Sequence, residues 1–557
     1  MKTINDLLVM LDSYIGGSAW FIILLLGTGL FFTIYLKFPQ FRFFGHAIRV
    51  VRGKFDKPGD KGDTSHFQSL ATALSGTVGT GNIAGVAFAI FLGGPASLFW
   101  MIICAFLGMT TKFVEVTLSH KYREIGDDGT VSGGPMYYMK NKMKAPWLAG
   151  FFAIMVVVSS FGIGSFPQIN SISNSMFATF GIDKMLTGGV LAIVLGIVVL
   201  GGIKRIASVT EKLVPIMAII YFIGALFVIV HNYENIIPSF ISIFADVFTG
   251  TAATGGFLGA TFSFAFNRGV NRGLFSNEAG LGSAPIAHAA AKTSEPVSEG
   301  AVSLLEPFVD TIIICTLTGL VILSSGVWKE KIDNTFQATD MIVLADKYDD
   351  KSEVDLEKLS GYIVSHKEIG TFSGELNVSG GKITDDLSII HARSLAEDVR
   401  ILDSEELPFT GTVTIEAGHL ADDEDVIFEG KSLIHSAPLT AEAFTRSALG
   451  KWGRWIVTFG LLLFAFSTSL AWAYYGGRSI NFLVGNKGVL IYRLIYCASF
   501  FVASFVDTTI AWVLSGITIA LMALPNLIGL LCLRKDMKNE VGDYIGRMKK
   551  EFPNERL

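Results

Sequence analysis

The chain has 557 residues, 51% of them hydrophobic and 17% charged, with a formal net charge of -5. A mean hydropathy of +0.51 excludes an ordinary soluble protein of this length and points to an all-α polytopic membrane protein. Cys104, Cys315, Cys497 and Cys532 all lie in apolar segments without CxxC spacing, which argues against a disulfide framework or a thiolate metal centre.

Only Lys2 precedes the first apolar run, Trp20 to Leu36, and no small-residue cleavage pattern follows, so the run reads as a retained helix rather than a leader. Membrane-length segments are expected at 18–37, 66–92, 95–119, 148–178, 185–203, 212–231, 254–290, 299–326, 452–477, 487–505 and 508–533, about eleven spans at the ~20 residues each that a bilayer needs. The apolar stretch 240–248 is too short to cross and reads as interfacial or re-entrant. Lys and Arg concentrate in the loop after the first span, at 121–144, at 204–212 and in the tail. With eleven spans these segments share one side, which the positive-inside rule makes cytoplasmic. The chain then starts outside and ends inside the cell, crossing the plasma or inner membrane.

Two segments combine membrane length with dense glycine and polar content. The first is "SGTVGTGNIAGVA" at 75–87; the second is "NRGLFSNEAGLGSAPIAHAAA" at 271–291. Unwound backbone at bilayer depth is tolerated only where protein or a cavity satisfies its polar groups. Broken helices of secondary transporters use such backbone to hold an anionic group and a cation. Gly81 and Gly85 also have small-xxx-small packing spacing, but packing leaves Asn82, Asn277 and Glu278 unexplained. With the N-terminal helix set aside, the other spans divide into two sets of five, each opened by a broken segment, as in an inverted repeat. "GTVGTGN" lacks the Lys-Ser/Thr of a phosphate loop, and "GTGNIAG" misses dinucleotide spacing.

Other candidates follow along the chain. Lys112 and Glu115 are three apart and can neutralise each other; Gln168 and Asn170 form a polar patch within a span. Glu115, Glu278, Glu306 and Asp310 are intramembrane acids, and Glu306 and Asp310, four apart, share one face of an α-helix. His288 reads as a packing residue. Residues 328–440 hold 24 Asp/Glu against 10 Lys/Arg, and "GTFSGELNVSGG", "FTGTVTIEAG" and "DVIFEGKSLIH" alternate apolar and polar, so a small β-rich extracytoplasmic insert is expected. Ser467, Thr468 and Ser469 are consecutive in "FAFSTSLAWAYYGG", so at most two face one direction; they either back-bond to their own helix or ligate a hard cation.

The stretches "SGTVGTGNIAGVA", "GTVSGGPMYYM", "RGLFSNEAGLGSAPIAHAAA", "LEPFVDTIIICT" and "STSLAWAYYGGRS" resemble the alanine/glycine:cation symporter family, which has the LeuT-like fold. The resemblance covers most of the chain outside 328–440, and the insert departs from the usual compact member. It implies a 5+5 inverted repeat after one extra helix. Residues 1–64 are then that helix and a cytoplasmic loop, 65–231 the first repeat, and 232–327 an external loop with two helices of the second repeat. The insert occupies 328–440, the last three helices 441–535, and a cytoplasmic tail 536–557. It further implies that backbone at Thr80 and Gly81 receives a substrate carboxylate, with Phe275, Gln168, Trp472 and Thr468 around the pocket. Asn82 matches the cation site nearest the substrate, with Thr77 and Ser276 beside it. Ser75, Val78, Ala465, Thr468 and Ser469 resemble a second sodium site, and Asp310 is added as a cation-site acid.

The expected function is sodium-driven import of alanine, glycine or a similarly small amino acid, with no resident cofactor, no enzymatic activity and no nucleic-acid partner. Two other readings stay open: proton coupling through Glu278 or Asp310, and a membrane-anchored sensor built on the acidic insert.

Overall fold

The computed structural model describes residues 10–11, 14–16, 18–125, 131–365, 367–421, 425–506 and 509–555. Lys2, the middle of the basic loop at 126–130 and the start of the 508–533 segment lie outside them.

Helix α1 spans Ala19–Tyr35 and α2 Phe44–Val51. A capping box starts α3, His66–Thr77: Gln68 N–H donates to Ser65 Oγ at 3.2 Å, and Ser65 N–H donates to Gln68 Oε1 at 3.0 Å. The helix stops at Val78, whose backbone is extended (ψ 91°). A π-helical turn, Gly81–Gly85, then enters α4, Val86–Gly93, and the two parts are bent by 53°. Next come α5 (Ala96–Lys121), α6 (Pro146–Gly162), α7 (Phe166–Phe180), α8 (Lys184–Val199), α9 (Gly202–His231) and the short α10 (Ile236–Ala245).

The second break has a different cause. Thr261 caps α11, Phe262–Asn277, by accepting from Phe264 N–H at 3.3 Å. Glu278 then turns left-handed (φ 55°), and Gly280 (φ 95°) and Gly282 (φ 79°) keep the chain in conformations that glycine adopts without strain. Helix α12, Ala284–His288, resumes with a proline in its first turn. Helix α13 (Pro296–Ser303), a π-helical stretch (Phe308–Cys315) and α14 (Thr316–Ser325) form one long apolar run.

Between them and the last helices the described residues form ten strands. β1 (Ile332–Thr335) and β2 (Met341–Leu344) precede α15 (Glu353–Ser365). Then follow β3 (Gly374–Ser379), β4 (Lys382–Ile383), β5 (Ser388–His391), β6 (Ser394–Leu395), β7 (Glu397–Asp403), β8 (Gly411–Glu416), β9 (His419–Leu420) and β10 (Val426–Ser432). They pair antiparallel in three sheets, ordered β9-β8-β3-β4, β1-β10-β7 and β2-β5-β6. The alternating stretches noted above become β3, β8 and β10. Leu376, Val378, Val413, Ile415 and Phe428 point from them into a separate apolar core. The insert is entered and left by paired strands, with Ile332 opposite Ser432.

Helices α16 (Ser436–Thr445), α17 (Gly453–Val484), α18 (Asn486–Val502), α19 (Thr509–Cys532) and α20 (Arg534–Glu551) complete the chain. Helix α17 packs on α3, α6, α7 and α9, and α11 packs on α4 and α5. Among the described residues, ion pairs tie helix α20 to four other segments: Arg547 pairs with Glu295 at 2.7 Å, Glu540 with Lys121 at 2.6 Å, Glu551 with Lys57 at 2.6 Å and Asp536 with Lys142 at 3.2 Å.

Six described helices are long and apolar enough to cross a membrane, seven if α3 and α4 are one bent span. Helices α1 and α8 are apolar but shorter. The two other expected spans fall short of that test: 487–505 forms the 17-residue helix α18, and 254–290 is divided after the 16-residue α11 by the turn at Glu278, Gly280 and Gly282. Ile193, Ile219, Ile223, Phe227, Ile491 and Leu494 are exposed in the structure, as side chains facing lipid would be.

Candidate functional site

The break after α3 frees the N–H of Gly79, and Asn82 Oδ1 accepts from it at 2.9 Å. The other end of the same carboxamide donates to Asp310 Oδ1 at 2.6 Å, to the Asp310 carbonyl at 3.0 Å and to Ser276 Oγ at 3.2 Å. Ser276 Oγ and Thr311 Oγ1 donate to Asp310 Oδ2 at 2.7 and 2.6 Å. Asn82, Ser276, Asp310 and Thr311 are all fully buried. The carboxyl thus receives donors from both broken helices and from the π-helical stretch, the arrangement an ionised acid needs away from water. Thr77 stays apart: its hydroxyl donates to Leu74 O at 3.3 Å within its own helix.

Gln168 joins the break from α7. Its Oε1 accepts from Thr80 N–H at 3.3 Å, and its Nε2 donates to Ile163 O at 3.0 Å. The Thr80 hydroxyl is buried and has no hydrogen-bond partner among the described residues. Phe275 is partly exposed, and its ring lies 3.4 Å from where a Cβ on Gly81 would sit. Trp472 is fully buried; its Nε1 donates to Glu278 Oε1 at 3.0 Å, and Glu278 Oε2 accepts from Ser283 Oγ at 2.5 Å.

On the other side of the break, Thr468 Oγ1 reaches Val78 O at 3.4 Å, and Ser467 Oγ reaches Ser75 O at 3.4 Å. Ser469 Oγ instead donates to Ala465 O at 3.1 Å within α17. Ser467 belongs to the polar triplet but not to the residues that the resemblance assigns to the second cation site. The triplet signalled that two of the three face one way, but the helix rotation that selects the pair is set by packing. A Cβ on Gly79 would collide with Thr468 Oγ1, so glycine is what lets α17 approach the break.

Two side-chain pairings differ from the expectations. Lys112 does not pair with Glu115: its Nζ lies 2.9 Å from Glu306 Oε1, while Glu115 accepts from Asn526. Glu306 and Asp310 do not act on a common face, because the π-helical stretch that begins at Phe308 changes the residues per turn and directs Asp310 to Asn82. His288 is held by a buried ion pair, with Nδ1 2.6 Å from Glu299 Oε1; Glu299 also pairs with His66.

Apolar spans, a bent helix pair and unwound backbone satisfied by buried side chains define a multi-pass membrane transporter. The family model described as "Sodium:alanine symporter family" matches residues 1–346 and 414–556, and the chain belongs to that family. It is 37% identical over 548 residues to an uncharacterized transporter of Haemophilus influenzae, covering 98% of this chain and 97% of the relative. It is 34% identical over 547 residues to the sodium/alanine symporter AgcS of Methanococcus maripaludis, covering 98% of each. A probable sodium/glutamine symporter, GlnT of Bacillus subtilis, is 38% identical over 329 residues, or 59% of this chain and 67% of the relative.

Proposed function

We propose that the protein imports alanine, glycine or a similarly small neutral amino acid, driven by sodium, through alternating access of a 5+5 inverted repeat preceded by one helix. The carrying observation is that both broken helices converge on the buried Asn82–Ser276–Asp310 cluster, two residues from Thr80, whose hydroxyl has no hydrogen-bond partner among the described residues. In this reading a sodium ion takes oxygens from Asn82, Ser276 and Asp310. A second takes the Ser75 and Val78 carbonyls with Thr468 and Ser467 or, after a rotamer change, Ser469. The substrate carboxylate meets the freed N–H groups at Thr80 and Gly81, and Gln168 and Phe275 bound the pocket. Trp472 and Glu278 back it and leave room for a small side chain. One positive charge entering along ~100 mV supplies about 2.3 kcal/mol. The insert lies outside the cell, the first residues outside and α20 inside.

Uptake of labelled alanine into proteoliposomes, with and without an inward sodium gradient, tests this. Equal uptake in both sinks the coupling. A proton gradient in sodium-free buffer tests the second reading, which the buried carboxyls of Asp310 and Glu278 favour.

A further inference from the structure

The turn between β5 and β6 places one arginine of the acidic insert on the membrane helices. With Ile390 opposite Leu395 and His391 opposite Ser394, the loop has two residues, Ala392 and Arg393. Both are left-handed, at φ 46° and 57°, which a non-glycine pair adopts only where the surroundings enforce it. Ala392 is buried against the helix bundle, and its N–H donates to Asp340 O at 3.1 Å. His391 stacks on Phe336 at 4.2 Å and is 2.7 Å from Ser432 Oγ.

The guanidinium thus held lies 4.8 Å from the ring centre of Phe264 on α11. Its Nε and Nη2 are buried and have no hydrogen-bond partner among the described residues. The Arg268 guanidinium lies 5.0 Å from the same ring. Burial, and then the Arg268 charge, push Arg393 down to about 10. Two cations on one aromatic ring, one with buried donors unused, form a site that an anion would stabilise.

The site leads inward. Phe264, Arg268, Arg272 and Phe275 are spaced four, four and three apart and share one face of α11. The Arg272 guanidinium lies 4.7 Å from the Phe88 ring and 5.9 Å from the Phe275 ring, beside Gly81.

We propose that Arg393, Arg268 and Arg272 form an outer carboxylate-binding site that the substrate occupies before it reaches Gly81 and Asn82, so that the insert contributes directly to the transport path. This rests on the amino-acid reading above. Arg393 lies outside the residues that the family model matches, whereas Arg268 and Arg272 lie within them. A zwitterion led in by its carboxylate arrives in the orientation that the freed N–H groups require.

The test uses the full chain as wild type, Arg393→Gln and Arg393→Lys. Sodium propionate, a carboxylate without an amino group, should raise the thermal midpoint of the detergent-solubilised wild type above that in equimolar sodium chloride. The rise should vanish in Arg393→Gln and persist in Arg393→Lys. In proteoliposomes, KM for alanine should rise about tenfold in Arg393→Gln, the loss of one charge-assisted hydrogen bond, with Vmax held. No propionate shift in the wild type, an equal shift in Arg393→Gln, or an unchanged KM overturns the proposal. If the wild type transports no alanine, the amino-acid reading fails while the propionate comparison still decides the site.

Discussion

Asn82 does two things with one carboxamide. Its oxygen satisfies the Gly79 N–H exposed by the break, and its nitrogen binds Asp310 and Ser276. Asn82→Ala removes both at once and leaves buried groups without partners, at about 1–3 kcal/mol each. Sodium concentration for half-maximal uptake should rise about tenfold to a hundredfold, measured as sodium-dependent alanine uptake. Unchanged sodium dependence would remove Asn82 from the cation site. Asp310→Asn should lower sodium affinity similarly, because the acceptor for Ser276 and Thr311 becomes half donor. These residues were legible because a bilayer makes a polar side chain conspicuous. The partner of Lys112 was not, since Glu306 is far away in sequence and no local spacing points to it.

At the level of elements, the break in "SGTVGTGNIAGVA" falls between Val78 and Thr80, inside the segment that its glycine density marked. The π-helical stretch at 308–315 had no such signal, because it contains neither Gly nor Pro and its widened turn answers to packing. Gly79→Ala would put a methyl group into Thr468 and should reduce uptake at least about tenfold, as misplaced catalytic or binding groups typically do. Gly27→Ala, where a Cβ meets nothing within 4 Å, should leave uptake unchanged. Equal uptake by both variants would show that α17 does not need its close approach. The β5–β6 turn has its own sensitivity to acid. Burial holds His391 at about 4, below the usual histidine value, so the unfolded turn takes up a proton first as pH falls, and stability drops between about 6.5 and 4. The hydrogen bond from His435 lowers the Asp340 carboxyl, whose contribution is likewise present above the ordinary carboxylate range and lost below it. Amide exchange at 388–395 in the full chain, corrected for intrinsic rate, should accelerate from pH 7 to 4.5 and do so less in His391→Gln. A flat profile contradicts this.

For the whole molecule, the insert separates transport from sensing. Because β1 and β10 pair, with Thr335 opposite Glu429, residues 336–428 can be replaced by a short turn without parting the helices on either side. Sodium-dependent uptake should survive with KM raised about tenfold through loss of Arg393. Complete loss of uptake in a folded variant would tie transport itself to the insert, whereas a sensor built on the insert would lose its response. The sequence marked the insert by charge and alternation, but no local pattern could assign its docking onto α11 through one turn.

The four ion-paired attachments of α20 have a mechanical consequence. Glu295, Lys142, Lys121 and Lys57 belong to different segments, and one helix holds them all. Parts that travel together keep every tie, while parts that separate must undo one. Each partly exposed ion pair is worth roughly 0.2–1 kcal/mol, well under the ~2.3 kcal/mol that one charge gains from ~100 mV. In the proposed transport cycle α20 would therefore act as a light catch: strong enough to favour one order of movement over another, too weak to hold the cycle still.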